Sequence, residues 1–131
     1  MSLLNAQYDT IGRTFIQQYY AMFDDPTLRP NLGTLYNEEK SLMTFEGQQI
    51  FGRTKILEKI QGLGFQKICH SVTIIDCQPM FDGGILIFVL GQLKTDDDPA
   101  HTFNQVFVLK PIGESFYVEH DVFRLALHHT A

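Results

Sequence analysis

Residues 83–113, GGILIFVLGQLKTDDDPAHTFNQVFVLKPIG, contain two long apolar runs that are bounded by turn residues. The paired glycines, the acidic TDDDP segment and the final Pro-Ile-Gly all have turn chemistry. Similar runs precede and follow this stretch, so the sequence predicts four long strands at about 66–79, 84–94, 101–111 and 115–127. Consecutive strands with short connections form an antiparallel meander.

The residues before the meander follow a helical period. Apolar side chains recur at steps of three and four from Leu4 to Phe23, which predicts a helix over 4–23 with Asn5 as its N-cap. Pro30 is predicted to open a short second helix, and RTKILEKIQGL (53–63) a third. Two short strands, SLMTFEG (41–47) and QQIF (48–51), lie between them. The chain is therefore predicted to be one α+β domain, residues 1–131.

Composition excludes several classes of function. The net charge of -5 and the pI of about 5.4 disfavour binding to nucleic acid, which needs a basic surface. The longest apolar run, Ile85 to Leu90, is far too short to cross a membrane. Cys69 and Cys77 are expected on one strand, about 26 Å apart, so they cannot form a disulfide and a reducing compartment is indicated.

The run ILIFVL (85–90) does not alternate between apolar and polar residues. It therefore predicts a strand buried on both faces, although three helices can cover only one face of the sheet. A second copy of the same sheet would cover the other face, so the pattern favours a homodimer. The alternative is that curvature of the strands alone hides the extra residues.

The sequence contains little that predicts catalysis or a cofactor. It has no nucleophile elbow, phosphate-binding loop or dinucleotide fingerprint. We expect no metal site, because Cys69 and His70 point to opposite faces of a strand and His128-His129 lie near the terminus.

Five ionisable residues are candidates for the mouth of a pocket between sheet and helices: Glu46, His70, Asp96, Asp98 and Asp121. A buried member of this set could move protons, whereas each is also consistent with a solvated strand end or a satisfied polar pair. The acidic turn has two interpretations. It is either a wet turn stabilised by Asp side chains or a negatively charged lip that meets a basic partner.

Five segments, in order and at matching spacing, resemble the nuclear transport factor 2 family: FIQQYYAMFDD (15–25), FEGQQIFGRTKILEKI (45–60), GFQKICHSVT (64–73), GQLKTDDDP (91–99) and DVFRLALHH (121–129). The match runs from about Tyr8 to His128. The resemblance implies a cystatin-like cone, in which a strongly bent antiparallel sheet is wrapped by three helices and dimerises through the sheet.

The resemblance also implies a function. Members of the family bind the GDP form of the small GTPase Ran and the Phe-Gly repeats of nucleoporins, and they import Ran into the nucleus. They use no cofactor and have no enzymatic activity. We would then expect the protein in the cytoplasm and nucleus, enriched at the nuclear pore. The alternative is an isomerase or dehydratase that uses the cone cavity, as in related folds.

Site residues follow from the same resemblance. Glu46, Asp96 and Asp98 match the acids that contact Ran, and a phenylalanine of Ran would enter between Phe45, Phe65 and Phe123. Tyr8, Phe88 and Val106 match positions that bind Phe-Gly repeats at the edge of the dimer, and Val122 and Phe88 match the dimer interface. Phe45 and Tyr8 stand where the family often has Trp, so both contacts lose aromatic area.

Overall fold

The computed structural model describes residues 4–127. In chain order the elements are α1 (Tyr8–Asp24), a 3₁₀ helix (Arg29–Leu35), β1 (Leu42–Phe45), β2 (Gln48–Phe51), α2 (Arg53–Gln61), β3 (Ile68–Pro79), β4 (Ile85–Thr95), β5 (His101–Ile112) and β6 (Ser115–Leu125). The predicted α+β layout is confirmed, and the ends of the four long strands and of α2 lie within two residues of their predicted positions.

The six strands form one curled, open sheet in the order β2-β1-β6-β5-β4-β3. The sheet is mixed, because β1 pairs with β6 in parallel while every other pair is antiparallel. The predicted antiparallel meander of β3 to β6 is confirmed. The antiparallel sheet that the resemblance implied has one exception, the parallel pair of β1 and β6. The chain leaving the 3₁₀ helix already runs alongside β6, with a parallel bridge between Tyr36 and Val118, and β1 continues in that direction.

The first helix begins later than predicted, at Tyr8. Asn5 does not cap it: its Oδ1 accepts the backbone N–H of Gln7 at 2.8 Å, and its carbonyl accepts that of Tyr8 at 3.2 Å. Asn5 thus closes a turn before the helix, which is a competing use of an Asn side chain. Leu4 lies outside the helix and is 39% exposed.

The core lies between α1 and the inner, concave face of the sheet. Ile16 and Tyr19 of α1 are buried there, and the Tyr19 ring packs edge-on against Phe107 with 4.9 Å between centroids. On β4 the side chains of Ile85, Ile87 and Val89 are fully buried. The alternate positions of β4 face the other way. Leu32 of the 3₁₀ helix and Ile56 and Ile60 of α2 are also buried in this core.

The outer face of the sheet is apolar and partly exposed. Leu86 and Leu90 are half-buried, and Phe88 is 36% exposed. Phe88, Val106 and Val122 lie side by side across β4, β5 and β6. Within a single chain the run ILIFVL is thus buried on one face only, and the prediction that both faces are buried is not met by the chain's own elements.

Two further observations bear on the sequence-based predictions. No helix within residues 4–127 is long and apolar enough to cross a membrane. Cys69 and Cys77 both lie on β3, as predicted, and both are free thiols.

Candidate functional site

A cavity of about 350 Å³ opens between the helices and the concave face of the sheet. Most of its lining is aliphatic or aromatic, and the polar side chains are few. It is lined by Tyr19, Tyr20, Phe23, Met43, Phe45, Ile60, Leu63, Gly64, Phe65, Ile68, His70, Leu93, Thr95, Asp96, Asp98, Gln105, Phe123 and Leu125. An apolar concavity with a few polar groups is the usual form of a ligand site.

The structure brings all three predicted aromatic residues to this cavity. The rings of Phe45 and Phe123 stack with 4.9 Å between centroids and 11° between planes. The Lys59 ammonium lies 5.2 Å from the Phe45 centroid, and the Arg29 guanidinium lies 5.1 Å from that of Phe65. These cation–π contacts hold Phe45 and Phe65 in place from outside the cavity.

The acidic turn contributes two of its three carboxylates to the cavity lining, Asp96 and Asp98. The two side chains differ in their hydrogen bonds. Asp96 has a left-handed backbone (φ 49°), and its Oδ1 accepts the backbone N–H groups of Lys67 at 2.8 Å and Gln66 at 3.1 Å. The side chain of Asp98 forms no hydrogen bond or ion pair with any residue in 4–127, although its backbone N–H closes the turn onto Thr95. Asp96 therefore fixes the loop, and Asp98 presents an unpaired charge.

Glu46 lies beside this group rather than in the cavity lining. It is half-buried in a left-handed turn (φ 50°) between β1 and β2, and its Oε1 accepts the backbone N–H of Leu125 at 2.5 Å. Leu125 does line the cavity. The Glu46 carboxylate thus ties the β1–β2 turn to the end of β6, next to Phe45.

A histidine–carboxylate pair also borders the cavity. His70 Nδ1 lies 2.6 Å from Asp24 Oδ1, and Asp24 Oδ2 accepts the backbone N–H of His70 at 2.8 Å. The imidazole stacks on Tyr20 with 4.6 Å between centroids. The sequence pointed to His70 but not to Asp24, whose position before Asp25-Pro26 indicated only the end of a helix.

Asp121 does not reach the mouth, so its prediction as a mouth residue was wrong. It is fully buried beneath the cavity, where its Oδ2 accepts from Tyr36 at 2.8 Å and its Oδ1 accepts from Gln105 Nε2 at 2.8 Å. Burial raises the pKa of Asp121 to about 6, against the lowering effect of its hydrogen bonds to Gln105, Tyr36 and Tyr19. Its strand position predicted a location on the sheet but not the tyrosines that surround it.

The residues predicted to bind Phe-Gly repeats do not lie together in one chain. Tyr8 is half-buried on α1, which packs on the inner face of the sheet. Phe88 and Val106 lie on the outer face, in one row with Val122.

Within residues 4–127 no group of His, Cys, Asp or Glu has a geometry that could hold a metal ion.

Comparison with known proteins agrees with this geometry. The sequence-family model of the nuclear transport factor 2 (NTF2) domain matches residues 11–125, which is most of the chain. The chain belongs to the nuclear transport factor 2 family. It is 49% identical over 128 residues to a protein of Caenorhabditis elegans named probable nuclear transport factor 2, covering 95% of this chain and 96% of that one.

Solved structures place the fold in the same family. Nuclear transport factor 2 from Cryptosporidium parvum superposes with a TM-score of 0.86 at 40% identity, over 93% of this chain and 97% of that chain. A putative scytalone dehydratase from Novosphingobium aromaticivorans superposes with a TM-score of 0.75 at 12% identity, covering 94% and 89% of the two chains. The second likeness shows a shared fold only. Membership in the family supports a role in nuclear transport.

Proposed function

We propose that the protein binds the GDP form of Ran and carries it into the nucleus. The observation that carries this proposal is the open apolar cavity, whose lining combines aromatic residues with Asp98, a carboxylate that has no partner among residues 4–127. A buried aromatic anchor with a charged rim is a common basis of affinity between proteins. Relatives named nuclear transport factor 2 support the proposal.

In the proposed complex a phenylalanine of Ran enters the cavity between Phe45, Phe65 and Phe123. Burial of this ring supplies affinity, because a large apolar side chain leaves water. The negative charges of Asp98 and Glu46 face basic side chains of Ran, and they fix its orientation and speed association. Asp96 contributes mainly by holding the turn in place.

The protein is further proposed to act as a homodimer and to bind Phe-Gly nucleoporin repeats. The apolar row of Phe88, Val106 and Val122 supports a sheet-to-sheet dimer, because a second copy would cover it. Tyr8 lies on the opposite side of the sheet from this row. We therefore expect a repeat that contacts Tyr8 to contact the partner subunit as well. Binding to these repeats would place the protein in the cytoplasm and nucleus, enriched at the nuclear pore.

Charge reversal at the acidic turn tests the contact with Ran. Asp98→Lys should lower the affinity for Ran·GDP by at least about thirtyfold, since an attraction becomes a repulsion. Asp97→Lys is the matched control, because it makes the same charge change on a neighbour outside the cavity lining. Titration calorimetry measures both. Equal affinities for the two variants would contradict a specific contact at Asp98.

The alternative function is that of an isomerase or dehydratase acting on a small molecule in the cavity. The orientation of His70 by Asp24 favours it, because a carboxylate that holds an imidazole is a common arrangement in proton transfer. Turnover by the wild-type protein that is lost in His70→Ala, with Ran binding retained, would support this alternative.

A further inference from the structure

The cavity is larger than one phenylalanine side chain requires. Its volume is about 350 Å³, whereas an apolar cavity of about 150 Å³ in another protein is enough to bind benzene. An aromatic ring at the mouth would therefore leave space beside the polar part of the lining. That space is large enough for a molecule of its own.

The polar part of the lining offers hydrogen-bond acceptors. Asp24 is an acceptor that faces His70 Nδ1, so in the neutral form of the ring the proton lies on Nδ1 and Nε2 is an acceptor. His70 Nε2 forms no hydrogen bond with any residue in the described range of 4–127. The side chain of His70 is only 4% exposed to solvent, and its unpartnered Nε2 keeps some accessible surface, since it is not one of the fully buried polar atoms without a partner. A nearly buried acceptor of this kind is best satisfied by a donor on a bound molecule.

Tyr20, which stacks on His70 and also lines the cavity, offers a second hydrogen-bond acceptor. Its hydroxyl donates to Gln105 Oε1 at 2.6 Å, which leaves the phenolic oxygen free to accept a further hydrogen bond. Gln105 is itself held, since its Nε2 donates to Asp121. The position of the Tyr20 hydroxyl is thus fixed before any ligand arrives, and fixed groups lose little entropy on binding.

We propose that this cavity binds a free small aromatic molecule with a hydrogen-bond donor, of the class of simple phenols. The ring lies between Leu93 and Phe123, and the hydroxyl donates to His70 Nε2. This site goes beyond the proposed binding of Ran and of nucleoporin repeats, because its occupancy requires neither of them. It shares the cavity with the alternative enzymatic function but requires no turnover.

Two matched probes test the proposal: p-cresol, which has the donor, and 4-methylanisole, in which a methyl group replaces the hydroxyl proton. Each is titrated into the full-length ¹⁵N-labelled protein near pH 7. We expect p-cresol to give saturable amide shifts at Leu93, Ile68 and Phe123, with a dissociation constant on the order of millimolar. The anisole should bind about fivefold more weakly or worse, because it lacks the donor.

Two variants distinguish the contribution of the hydrogen bond to the affinity for p-cresol from that of apolar contacts alone. His70→Leu should bring the affinities of the two probes to within about twofold of each other. His101→Leu is the matched control, since His101 is exposed and outside the cavity lining, and it should keep the wild-type preference. Should His70→Leu fail to fold, the comparison of the probes on wild type still decides.

Three results would overturn the proposal. These are no saturable shifts with p-cresol, shifts confined to the outer face of the sheet, or equal affinity of the wild-type protein for the two probes. None of them bears on the binding of Ran, which is measured separately, so the two proposals fail independently.

Discussion

At the scale of single residues, the three neighbouring aspartates of the acidic turn have unequal roles. The sequence left two interpretations open, a wet turn or a binding lip, and Asp96 and Asp98 make different contacts in the structure. Asp96 stabilises the loop through backbone N–H groups, as turn chemistry predicts. Asp98 lines the cavity without a partner among residues 4–127, as a binding lip requires.

This difference predicts opposite effects on stability. Asp96→Lys should lower the free energy of unfolding by about 1–3 kcal/mol, because Gln66 and Lys67 lose their acceptor and the left-handed backbone loses a residue that tolerates it. Asp98→Lys should leave stability nearly unchanged, since exposed charges contribute little to folding. Urea unfolding of both variants measures the difference. A loss of stability in Asp98→Lys equal to that in Asp96→Lys would refute the assignment.

The buried carboxylate of Asp121 predicts a dependence of stability on pH. Its pKa is about 6 in the folded protein and 3.8 in the unfolded reference, so the folded state holds the proton more tightly. The contribution of Asp121 is therefore fully present below about pH 4 and is lost as the pH rises through about 6. The loss is on the order of 3 kcal/mol.

Unfolding in urea at several pH values from 4 to 7 checks this contribution, with Asp121→Asn as the comparison. The variant cannot titrate at this position, and its curve of stability against pH should lack the fall seen between about pH 4 and 6. Parallel curves for the wild type and the variant would mean that Asp121 does not titrate in this range.

At the scale of elements, the four long strands and α2 followed from sequence because each depends on local signals. Periodicity, glycine and proline mark their ends. The parallel pairing of β1 with β6 joins residues about eighty positions apart, and no local pattern encodes it. The residues of the cavity show the same limit, because their positions depend on long-range packing that no local pattern encodes. Phe45, Phe65 and Phe123 were identified by family resemblance, whereas the pairing of Asp24 with His70 depends on how the end of α1 meets β3.

Gly91, in the middle of β4, lies where the backbone of β3 approaches closely. A Cβ atom at this position would lie 2.5 Å from the carbonyl oxygen of Ser71 and 3.0 Å from the ring of Phe103. The register of β3 shifts directly opposite, between Val72 and Ile74. Bulges and interior glycines are typical of strands that must bend sharply.

Gly91→Ala should therefore destabilise the fold by about 1–3 kcal/mol or more, because a backbone atom of β3 must move. Gly64→Ala is the matched control, since a Cβ there meets nothing within 4 Å. Thermal unfolding of the two variants measures the contrast. Gly91→Ala with the stability of Gly64→Ala would contradict this role of Gly91.

At the scale of the whole molecule, the exposed apolar face of the sheet predicts a dimer. Val122 is 42% exposed and lies beside Val106. Val122→Glu would bury an unpaired charge in the proposed interface, which should cost several kcal/mol. Sedimentation equilibrium should show a dimer for wild type and a monomer for the variant. A wild-type protein that is monomeric at micromolar concentration would refute the proposed dimer.

The measurement that most directly tests the central proposal is titration calorimetry of the wild-type protein with Ran bound to GDP and with Ran bound to GTP. The account predicts saturable binding of Ran·GDP and binding of Ran·GTP that is weaker by at least about a hundredfold, a difference of roughly 2.7 kcal/mol. No binding of Ran·GDP, or equal binding of the two forms, would contradict it.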